Sequence, residues 1–211
     1  MDMRNAVVVF NGNVNAEQLR SIIAPDFSGD VVINGNLIAD NGNLKFPGGL
    51  FITGDLIAPE SPRFHFILLN VTVADLYVKG DVKAGDINVS GDIAIAGDIH
   101  TEDISVSGDL FIDGNSDTGD ISVSGDLFIT GYIDAGEISV NGDLFSDGYI
   151  DAGEISVNGD LFSDGDIAAG EISVNGELLI NGDIDADNLS VNGDMYINGN
   201  IDAHVNNMGS I

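Results

Sequence analysis

The sequence lacks cysteine, long apolar runs and a recognisable secretory signal. The absence of cysteine excludes disulfide bonds, thiolate metal sites and cysteine nucleophiles. No apolar run approaches the roughly 18 residues that a membrane-spanning helix needs, and residues 1–15 have no basic start followed by an apolar stretch and a cleavage site. With 44% hydrophobic residues the chain can still bury one core. We therefore expect a single-domain cytoplasmic protein, stabilised by packing and backbone hydrogen bonds.

Basic residues are absent from the larger, C-terminal part of the chain. Residues 85–211 contain 26 acidic residues and no lysine or arginine. The six basic residues all precede this region: Arg4, Arg20, Lys45, Arg63, Lys79 and Lys83. Nucleic acids and anionic lipid headgroups are bound through Lys and Arg, so the charge argues against both as partners. An acidic surface keeps a protein soluble, and it would also attract cations or a basic partner.

From Gly85 onward the chain repeats itself every 17 residues. Each copy reads approximately G-[DE]-I-x-V-x-G-D-L-x-I-x-G-x-I-x-A. The copies begin at Gly85, Glu102, Gly119, Gly136, Gly153, Gly170 and Asp187. A short fixed period is typical of a solenoid, in which stacked units bury a continuous core against their neighbours.

Hydrophobic and polar residues alternate over three short stretches of each copy, which are separated by glycine. Period two with β-branched residues indicates strands, whereas each glycine would cost a helix about 1 kcal/mol relative to alanine. We therefore predict an all-β fold, a single-stranded parallel β-helix of triangular, right-handed 17-residue coils with a short N-terminal helical cap. Corner glycines such as Gly91 and Gly97 are expected to adopt positive φ.

Four segments are expected along the chain. They are a cap at 1–28, irregular coils at 29–84 with an inserted loop at 58–70, regular coils at 85–205 and a polar tail at 206–211. The cap should contain a strand at Met3–Phe10 and a helix at Asn15–Ile23, which Asn15 caps and Pro25 ends. The C-terminal end has no comparable helix, so we expect it either to form an end-to-end contact or to be protected only by the polar tail 206–211.

Three serines interrupt the predicted core columns. Ser116 stands where the third side of the coil has isoleucine, and we interpret it as part of a local loop around residues 115–118. Ser146 and Ser163 stand where the second side has isoleucine. They belong to two nearly identical copies, at 136–152 and 153–169, so recent duplication explains the pair without a function.

One outward column carries large apolar side chains. Alternation places them between two inward residues on the second side of the coil, and therefore in solvent. The predicted aromatic stripe comprises Tyr77, Phe111, Phe128, Phe145, Phe162, Leu179 and Tyr196. Val32 and Phe51 extend it in earlier coils. A ladder of this size exceeds the apolar patch of a few hundred Å² that monomers usually expose, which favours an interaction surface. The alternative is that the rings only stack on one another for stability.

Acidic residues follow two of the corners and form ladders along the coils. Carboxylates about 4.8 Å apart repel one another, and bound calcium would relieve the repulsion. The candidate ligands are Asp109, Asp126, Asp143 and Asp160. The sequence contains no known calcium-loop motif, and a simpler explanation is that backbone amides donate to these side chains in Asx-turns. A hydrogen-bonded amide ladder is predicted at Asn141, Asn158, Asn175 and Asn192.

No catalytic constellation is evident. His65, His100 and His204 are scattered and lack a metal-ligand or nucleophile motif nearby, so each is expected at the surface. Parallel β-helix enzymes that act on polysaccharides use acids in a cleft together with Lys or Arg on the coils, and residues 85–211 lack Lys and Arg. We therefore predict that the protein is not an enzyme.

The runs Ile121–Ile133 and Ile172–Ile184 share the pattern I-x-V-x-G-[DE]-L-x-I-x-G-x-I. This pattern resembles the V-x-I-x-G-x-V-x-G runs of bactofilins, a bacterial family of polymer-forming cytoskeletal β-helix proteins. The resemblance covers most of the array. It implies a cytosolic bacterial protein that forms filaments by end-to-end stacking without a nucleotide. The N-terminal helix and the acidic coils depart from the family pattern.

The sequence favours a structural or interaction role. We expect a rigid acidic rod that forms a homo-oligomer or binds a protein partner through the aromatic stripe. Two alternatives stay open. One is a binding module in which the stripe stacks on glycan rings or the ladders bind calcium, and the other is a carbohydrate-active enzyme with a cleft beside the 58–70 insertion. Calcium is the one possible cofactor that the sequence suggests.

Overall fold

The chain forms an all-β parallel solenoid. The computed structural model describes residues 6–24, 27–39, 42–58 and 69–207. Within these residues there is one short helix, close to the N-terminus, and all strand pairs are parallel. In the regular part paired residues are 17 positions apart, as Phe111 and Phe128 are, until a register shift between Asp185 and Asn188 in the last strand pair reduces the spacing to 16. The predicted fold class and the 17-residue coil are confirmed.

The elements are numbered in chain order. The cap and the irregular coils contain β1 (Val7–Asn11), β2 (Val14–Asn15), α1 (Ala16–Ile22), β3 (Asp30–Asn34), β4 (Leu37–Ile38), β5 (Gly42–Lys45), β6 (Leu50–Ile52), β7 (Leu56–Ile57), β8 (Leu69–Val73), β9 (Leu76–Val78) and β10 (Val82–Lys83). The regular coils contain β11 (Ile87–Val89), β12 (Ile93–Ile95), β13 (Ile99–His100), β14 (Ile104–Val106), β15 (Leu110–Ile112), β16 (Ser116–Asp117), β17 (Asp120–Val123), β18 (Leu127–Ile129), β19 (Ile133–Val140), β20 (Leu144–Ser146), β21 (Ile150–Val157), β22 (Leu161–Ser163), β23 (Ile167–Val174), β24 (Leu178–Ile180), β25 (Ile184–Val191), β26 (Met195–Ile197) and β27 (Ile201–Asn207).

The strands line three faces that belong to two hydrogen-bonded sheets. One face is an eleven-stranded sheet in the order β1-β3-β6-β9-β12-β15-β18-β20-β22-β24-β26. A second face runs through β2, β4, β7, β10, β13 and β16, and a third through β5, β8, β11, β14 and β17. The second and third faces join at β19, which pairs with both β16 and β17.

The predicted three strands per coil are therefore found only in the earlier coils. From Ile133 onward a single eight-residue strand, such as β19 or β21, covers two faces. The backbone ladder continues through the corner, because the N–H of Gly136 donates to the carbonyl oxygen of Gly119. The prediction of a break between strands is wrong at this corner of the later coils.

The core is one continuous apolar cluster inside the coils. The three inward columns predicted from the repeat are represented by Ile138, Val140 and Leu144, which are all buried. Parallel stacking places each of them on an equivalent apolar residue of the next coil, as Ile138 on Ile155. The columns therefore stabilise the rod by burial along its whole length.

The corner glycines leave space for the close approach of the preceding coil. The prediction that they adopt positive φ is wrong. Among the described glycines φ is positive only at Gly12, Gly35 and Gly42. A Cβ added to Gly142 would lie 2.1 Å from Oδ1 of Asp126 and 2.6 Å from the carbonyl oxygen of Gly125. The coils approach so closely at this corner that the preceding coil occupies the place of a side chain.

The predicted N-terminal helix is present as α1. Asn15 is its N-cap, because Asn15 Oδ1 accepts the N–H of Gln18 at 2.7 Å and Gln18 Oε1 accepts the N–H of Asn15 at 3.1 Å. Ala16 and Leu19 are buried, so α1 adds to the N-terminal end of the core. Pro25, which was predicted to end the helix, lies outside the described residues.

Other predicted boundaries are shifted. The strand predicted at Met3–Phe10 is observed as β1, Val7–Asn11. Residues 3–5 of the predicted strand lie outside the described part of the chain. Residues 59–68 of the loop predicted at 58–70 also lie outside it, and β8 already begins at Leu69. The predicted tail begins inside β27, whose last residue is Asn207.

The prediction that Ser116 lies in a loop is wrong. Ser116 begins β16, pairs with Ile99 and Ile133 on its two sides and is completely buried. Parallel pairing with both neighbouring coils keeps this residue in the inward column. The hydroxyls of Ser116, Thr101 and Thr118 are buried without a hydrogen-bond partner among the described residues. Such groups lower stability, because they lose water without gaining a partner.

Ser146 and Ser163 also lie in an inward column, but their hydroxyls are satisfied. Ser146 Oγ donates to the carbonyl oxygen of Gly148 at 3.2 Å, and Ser163 Oγ donates to that of Gly165 at 3.1 Å. The turn that follows each strand thus supplies an acceptor. This local bond explains why serine is accommodated at both positions.

Candidate interaction surface

The register places the predicted stripe in one outward column of the eleven-stranded sheet. In coil order the column contains Val9, Val32, Phe51, Tyr77, Ala94, Phe111, Phe128, Phe145, Phe162, Leu179 and Tyr196. The extension to Val32 and Phe51 is confirmed. Ala94 was missed, although the alignment of Ile93–Ile95 with Leu110–Ile112 in the repeat places it in the same column.

Neighbouring rings of the column stack face to face at the spacing of the coils. Among the four rings from Phe111 to Phe162, the centroids of neighbours lie 4.8, 4.7 and 5.0 Å apart, and their planes differ by at most 9°. Phe51 and Tyr77 form a second stack, with centroids 4.8 Å apart. Aromatic pairs contribute about 0.5–1.5 kcal/mol beyond the area they bury. The stacks therefore stabilise the rod.

The two rings that face Ala94 are more exposed than the other rings of the stacks. Tyr77 is 36% and Phe111 41% exposed, whereas Phe128 and Phe145 have a ring on both faces and are half-buried. The inner rings present their edges to solvent and their faces to one another. The column is thus both a stabilising stack and an exposed apolar ridge.

A gap at Ala94 separates the two stacks. Ala94 pairs with Tyr77 in one neighbouring coil and with Phe111 in the other, so a methyl group stands where the column otherwise has a ring. Ala96, which follows two positions later in the chain, is also small and exposed. Both alanines line an open cavity of about 500 Å³ that extends over five coils, from Phe51 to Phe128, with the gap between Tyr77 and Phe111 at its centre.

Charged side chains border the gap at both ends of the strands. Burial, followed by the negative charges of Asp75 and Asp92, raises the pKa of Tyr77 above its usual value of 10.0. The Tyr77 hydroxyl therefore lies in a negative potential. Beyond the other end of the strands the cavity is bordered by Lys79 and Asp113. These surroundings suit a neutral or cationic ligand better than an anionic one.

The four predicted calcium ligands accept hydrogen bonds from the backbone. They are Asp109, Asp126, Asp143 and Asp160. Oδ1 of each accepts the N–H of the acidic residue one coil further on, at 2.9, 2.8, 2.8 and 2.7 Å. The expectation that amides bond these side chains is confirmed. The prediction of local Asx-turns is wrong, because stacking brings the amide of the next coil to the carboxylate.

This contact explains why glycine precedes the acidic residue in the repeat. The N–H of Asp143 donates to Oδ1 of Asp126, and the same oxygen lies 2.1 Å from where a Cβ of Gly142 would be. A side chain at position 142 would displace the carboxylate that accepts the hydrogen bond. The Gly-Asp pair is therefore a unit of coil stacking.

The described residues bring together no cluster of metal ligands. Among them, no three His, Asp or Glu side chains converge as metal ligands would. His100 Nδ1 lies 2.8 Å from Asp117 Oδ2 in an exposed pair, and His204 is exposed as predicted. His65 lies outside the described residues. An exposed pair of this kind adds little stability.

The predicted amide ladder is confirmed. Nδ2 of Asn158, Asn175 and Asn192 donates to Oδ1 of the asparagine one coil earlier, at 3.4, 2.8 and 2.7 Å. A further ring pair, Tyr132 and Tyr149, stacks at 5.5 Å elsewhere on the rod and was not predicted. Burial and nearby carboxylates raise the pKa of both tyrosines.

No protein-family model matches this chain, and searches of curated proteins and of solved structures found no significant match. The coarse part of the proposed resemblance, a parallel β-solenoid, is present, whereas no family match identifies a bactofilin. In the part of the chain that the structure describes, no helix is long and apolar enough to span a membrane.

Proposed function

We propose that this chain is a non-enzymatic rod that binds another protein chain through the aromatic stripe. The observation that supports this proposal is the evenly spaced ring stack from Phe111 to Phe162, in which Phe111 is exposed and the other three rings are half-buried. Exposed apolar patches of this kind are typical of interaction sites. The parallel coils hold the rings in a fixed register, so a partner would meet a preformed surface and little ordering would oppose binding.

The geometry of the rings favours a protein partner over a glycan. A sugar ring stacks on the face of an aromatic side chain, and the inner rings of the stripe cover each other's faces at 4.7 to 5.0 Å. Their exposed edges form a narrow apolar ridge. Apolar side chains of another protein can pack against such a ridge by burying its area, without a stacking requirement.

The charge favours a foreign, basic partner over a second copy of the chain. Two copies would each have a formal net charge of −29 and would repel one another on approach. A basic partner would instead be attracted over a distance, and its association would be faster at low ionic strength. Self-association through the stripe is the other outcome that the experiment below resolves.

The resemblance to bactofilins suggests filament formation in a bacterial cytoplasm as a second role. Such filaments require end-to-end contact between rods. α1 covers part of the N-terminal end of the core with Ala16 and Leu19, which opposes stacking of another copy at that end. We therefore rank lateral binding above filament formation.

The test compares three proteins: the wild type, Phe128→Ser/Phe145→Ser, and a control, Ser122→Ala/Ser139→Ala, on the third face. Each is immobilised and used to select from a random peptide library displayed on phage. We expect peptides that the wild type and the control retain and that the Phe variant loses. Equal retention by all three would contradict the proposal. Circular dichroism confirms that the variants remain folded.

Sedimentation velocity over a concentration series, first in chelator and then in millimolar calcium, resolves the remaining outcomes. Oligomers that the wild type forms and Phe128→Ser/Phe145→Ser does not would identify a second copy as the partner. Oligomers that appear only with calcium would assign a role to the carboxylate ladders. A monomer under all conditions, together with selected peptides, is the result expected here.

A further inference from the structure

The gap at Ala94 has the width of one missing ring. Coils of a parallel solenoid lie about 4.8 Å apart, so Tyr77 and Phe111 are separated by two coil spacings. Phe128 fills the equivalent interval between Phe111 and Phe145, with centroids 4.8 and 4.7 Å away. One planar ring placed over Ala94 would therefore stack on both walls of the gap.

Both walls turn an uncovered ring face toward the gap. Tyr77 stacks on Phe51 with one face, and Phe111 stacks on Phe128 with one face, so the opposite faces point at Ala94. A guest ring would remove these two faces and both of its own from water. Buried aromatic side chains of this kind contribute most of the binding energy of many interfaces.

The charges around the gap favour a basic segment as the source of that ring. Asp75 and Asp92 directly precede the strands that carry Tyr77 and Ala94, and Oδ1 of each accepts a backbone N–H of the next coil, at 3.1 and 3.0 Å. At the other border the cavity is lined by one cation, Lys79, and by Asp113, which lies two coils further on. The formal net charge of −29 extends the negative potential around the gap. Aromatic faces also attract cations.

We propose, on the basis of the function proposed above, that the gap between Tyr77 and Phe111 receives one aromatic side chain of a partner protein. In the partner segment, lysine or arginine flanks the aromatic residue. The guest ring lies over Ala94 and completes the column, while the flanking cations face Asp75 and Asp92. The gap thus supplies a specific contact on an otherwise uniform ridge.

The probe for this proposal is the peptide acetyl-Gly-Lys-Trp-Lys-Gly-amide. Because the protein contains no tryptophan, the emission of the peptide reports binding without background. We expect saturable binding with a blue shift to the wild type. Ala94→Phe fills the gap with the residue typical of the column, and we expect it to weaken binding at least tenfold. Tyr77→Leu removes one wall and should weaken binding as well.

Matched controls separate the gap from the rest of the surface. Ala168→Phe adds the same atoms on another face and should leave the affinity unchanged, as should Ser122→Ala/Ser139→Ala on the third face. Phe145→Ser/Phe162→Ser removes rings of the stripe away from the gap, and it tests whether the peptide binds along the stripe instead. The peptide acetyl-Gly-Glu-Trp-Glu-Gly-amide should bind at least tenfold more weakly. Equal affinity of the two peptides would overturn the requirement for a basic segment.

The outcomes distinguish the gap from the proposed function. Unchanged affinity in Ala94→Phe, or no saturable binding to the wild type at low-millimolar peptide, overturns the gap proposal. If Phe145→Ser/Phe162→Ser loses the peptide and Ala94→Phe keeps it, the peptide binds along the stripe. In that case the gap proposal fails and the proposed function stands. The phage selection decides the proposed function independently of this peptide.

Discussion

The later coils, from Ile133 to Val191, and the coils around residues 82–118 are built by the same stacking rules but differ in uniformity. In the later coils the acidic and asparagine columns repeat with few changes, and the two serines of the inward column, Ser146 and Ser163, have hydrogen-bond acceptors. In the earlier coils the outward column is interrupted at Ala94 and the inward column at Ser116. The uniform coils show how contacts between equivalent residues of neighbouring coils stabilise the rod. Of the two departures only Ala94 lies at the surface, because Ser116 is completely buried.

The stacking rule of the uniform coils should be most sensitive at the corner glycines. Gly142→Ala is expected to lower the free energy of unfolding by about 3 kcal/mol, because the new Cβ meets the preceding coil and displaces a carboxylate. Urea denaturation measures the change. Gly170→Ala is the matched control, since its Cβ would meet only the carbonyl oxygen of Gly153, at 2.8 Å. An equal loss in both variants would contradict a special role of the carboxylate contact.

The acidic ladder is the next most sensitive feature of the same coils. Asp143→Ala should cost about 1–2 kcal/mol, because the N–H of Asp160 loses its acceptor at a partly buried corner. Asp143→Asn keeps an acceptor oxygen and removes one repelling charge, so its stability should equal or exceed that of the wild type. Both are measured by urea denaturation. A large loss in Asp143→Asn would show that the charge itself is required.

Substitution of Ser116 by an apolar residue should increase the free energy of unfolding. Ser116→Val replaces a buried hydroxyl that lacks a partner with the apolar side chain typical of the column, and we expect stabilisation by about 1 kcal/mol. Ser146→Val is the control, because its hydroxyl donates to Gly148 and its loss should not stabilise. Differential scanning calorimetry measures both. Destabilisation by Ser116→Val would indicate that the buried hydroxyl has a partner after all.

The departure at Ala94 should have the smallest effect on stability. Ala94→Phe joins the two ring stacks, and we expect a gain of about 0.5–1 kcal/mol from the new stacking contacts. The same substitution at Ala168 has no ring on either side and should give no gain. Thermal unfolding monitored by circular dichroism compares the two. A loss at position 94 would show that the local backbone does not accept a ring in the register of the column.

The period of the repeat was sufficient to predict the fold and the columns. Because parallel stacking places equivalent residues on one another, a 17-residue period in the sequence defines the neighbours of Ile138 or Phe128 without further information. The capping of α1 was also predictable, since Asn15 and Gln18 are local partners. Each of these features depends only on which residues recur, or on residues close together in the chain.

The features that were mispredicted depend on how closely neighbouring coils approach. Glycine is used both where φ is positive and where two backbone segments approach closely. The sequence does not tell which of the two reasons applies at Gly142. The residues around Ser116 favour a loop locally, whereas pairing with Ile99 and Ile133 overrides that preference. Ala94 carries no chemical signal of its own. The period of the repeat already places it between Tyr77 and Phe111, but the open space between these two rings is seen only in the stacked coils.

The Gly-Asp corner makes a coil compatible with a copy of itself. Each coil offers the same carboxylate on one side and the same glycine on the other, so insertion or deletion of one complete unit preserves every contact. The near-identical units 136–152 and 153–169 illustrate such an event. Each added unit lengthens the rod by about 4.8 Å and leaves the surface chemistry of the other coils unchanged. Gain or loss of whole units can therefore change the distance between two binding sites on the surface during evolution without changing the residues that form either site.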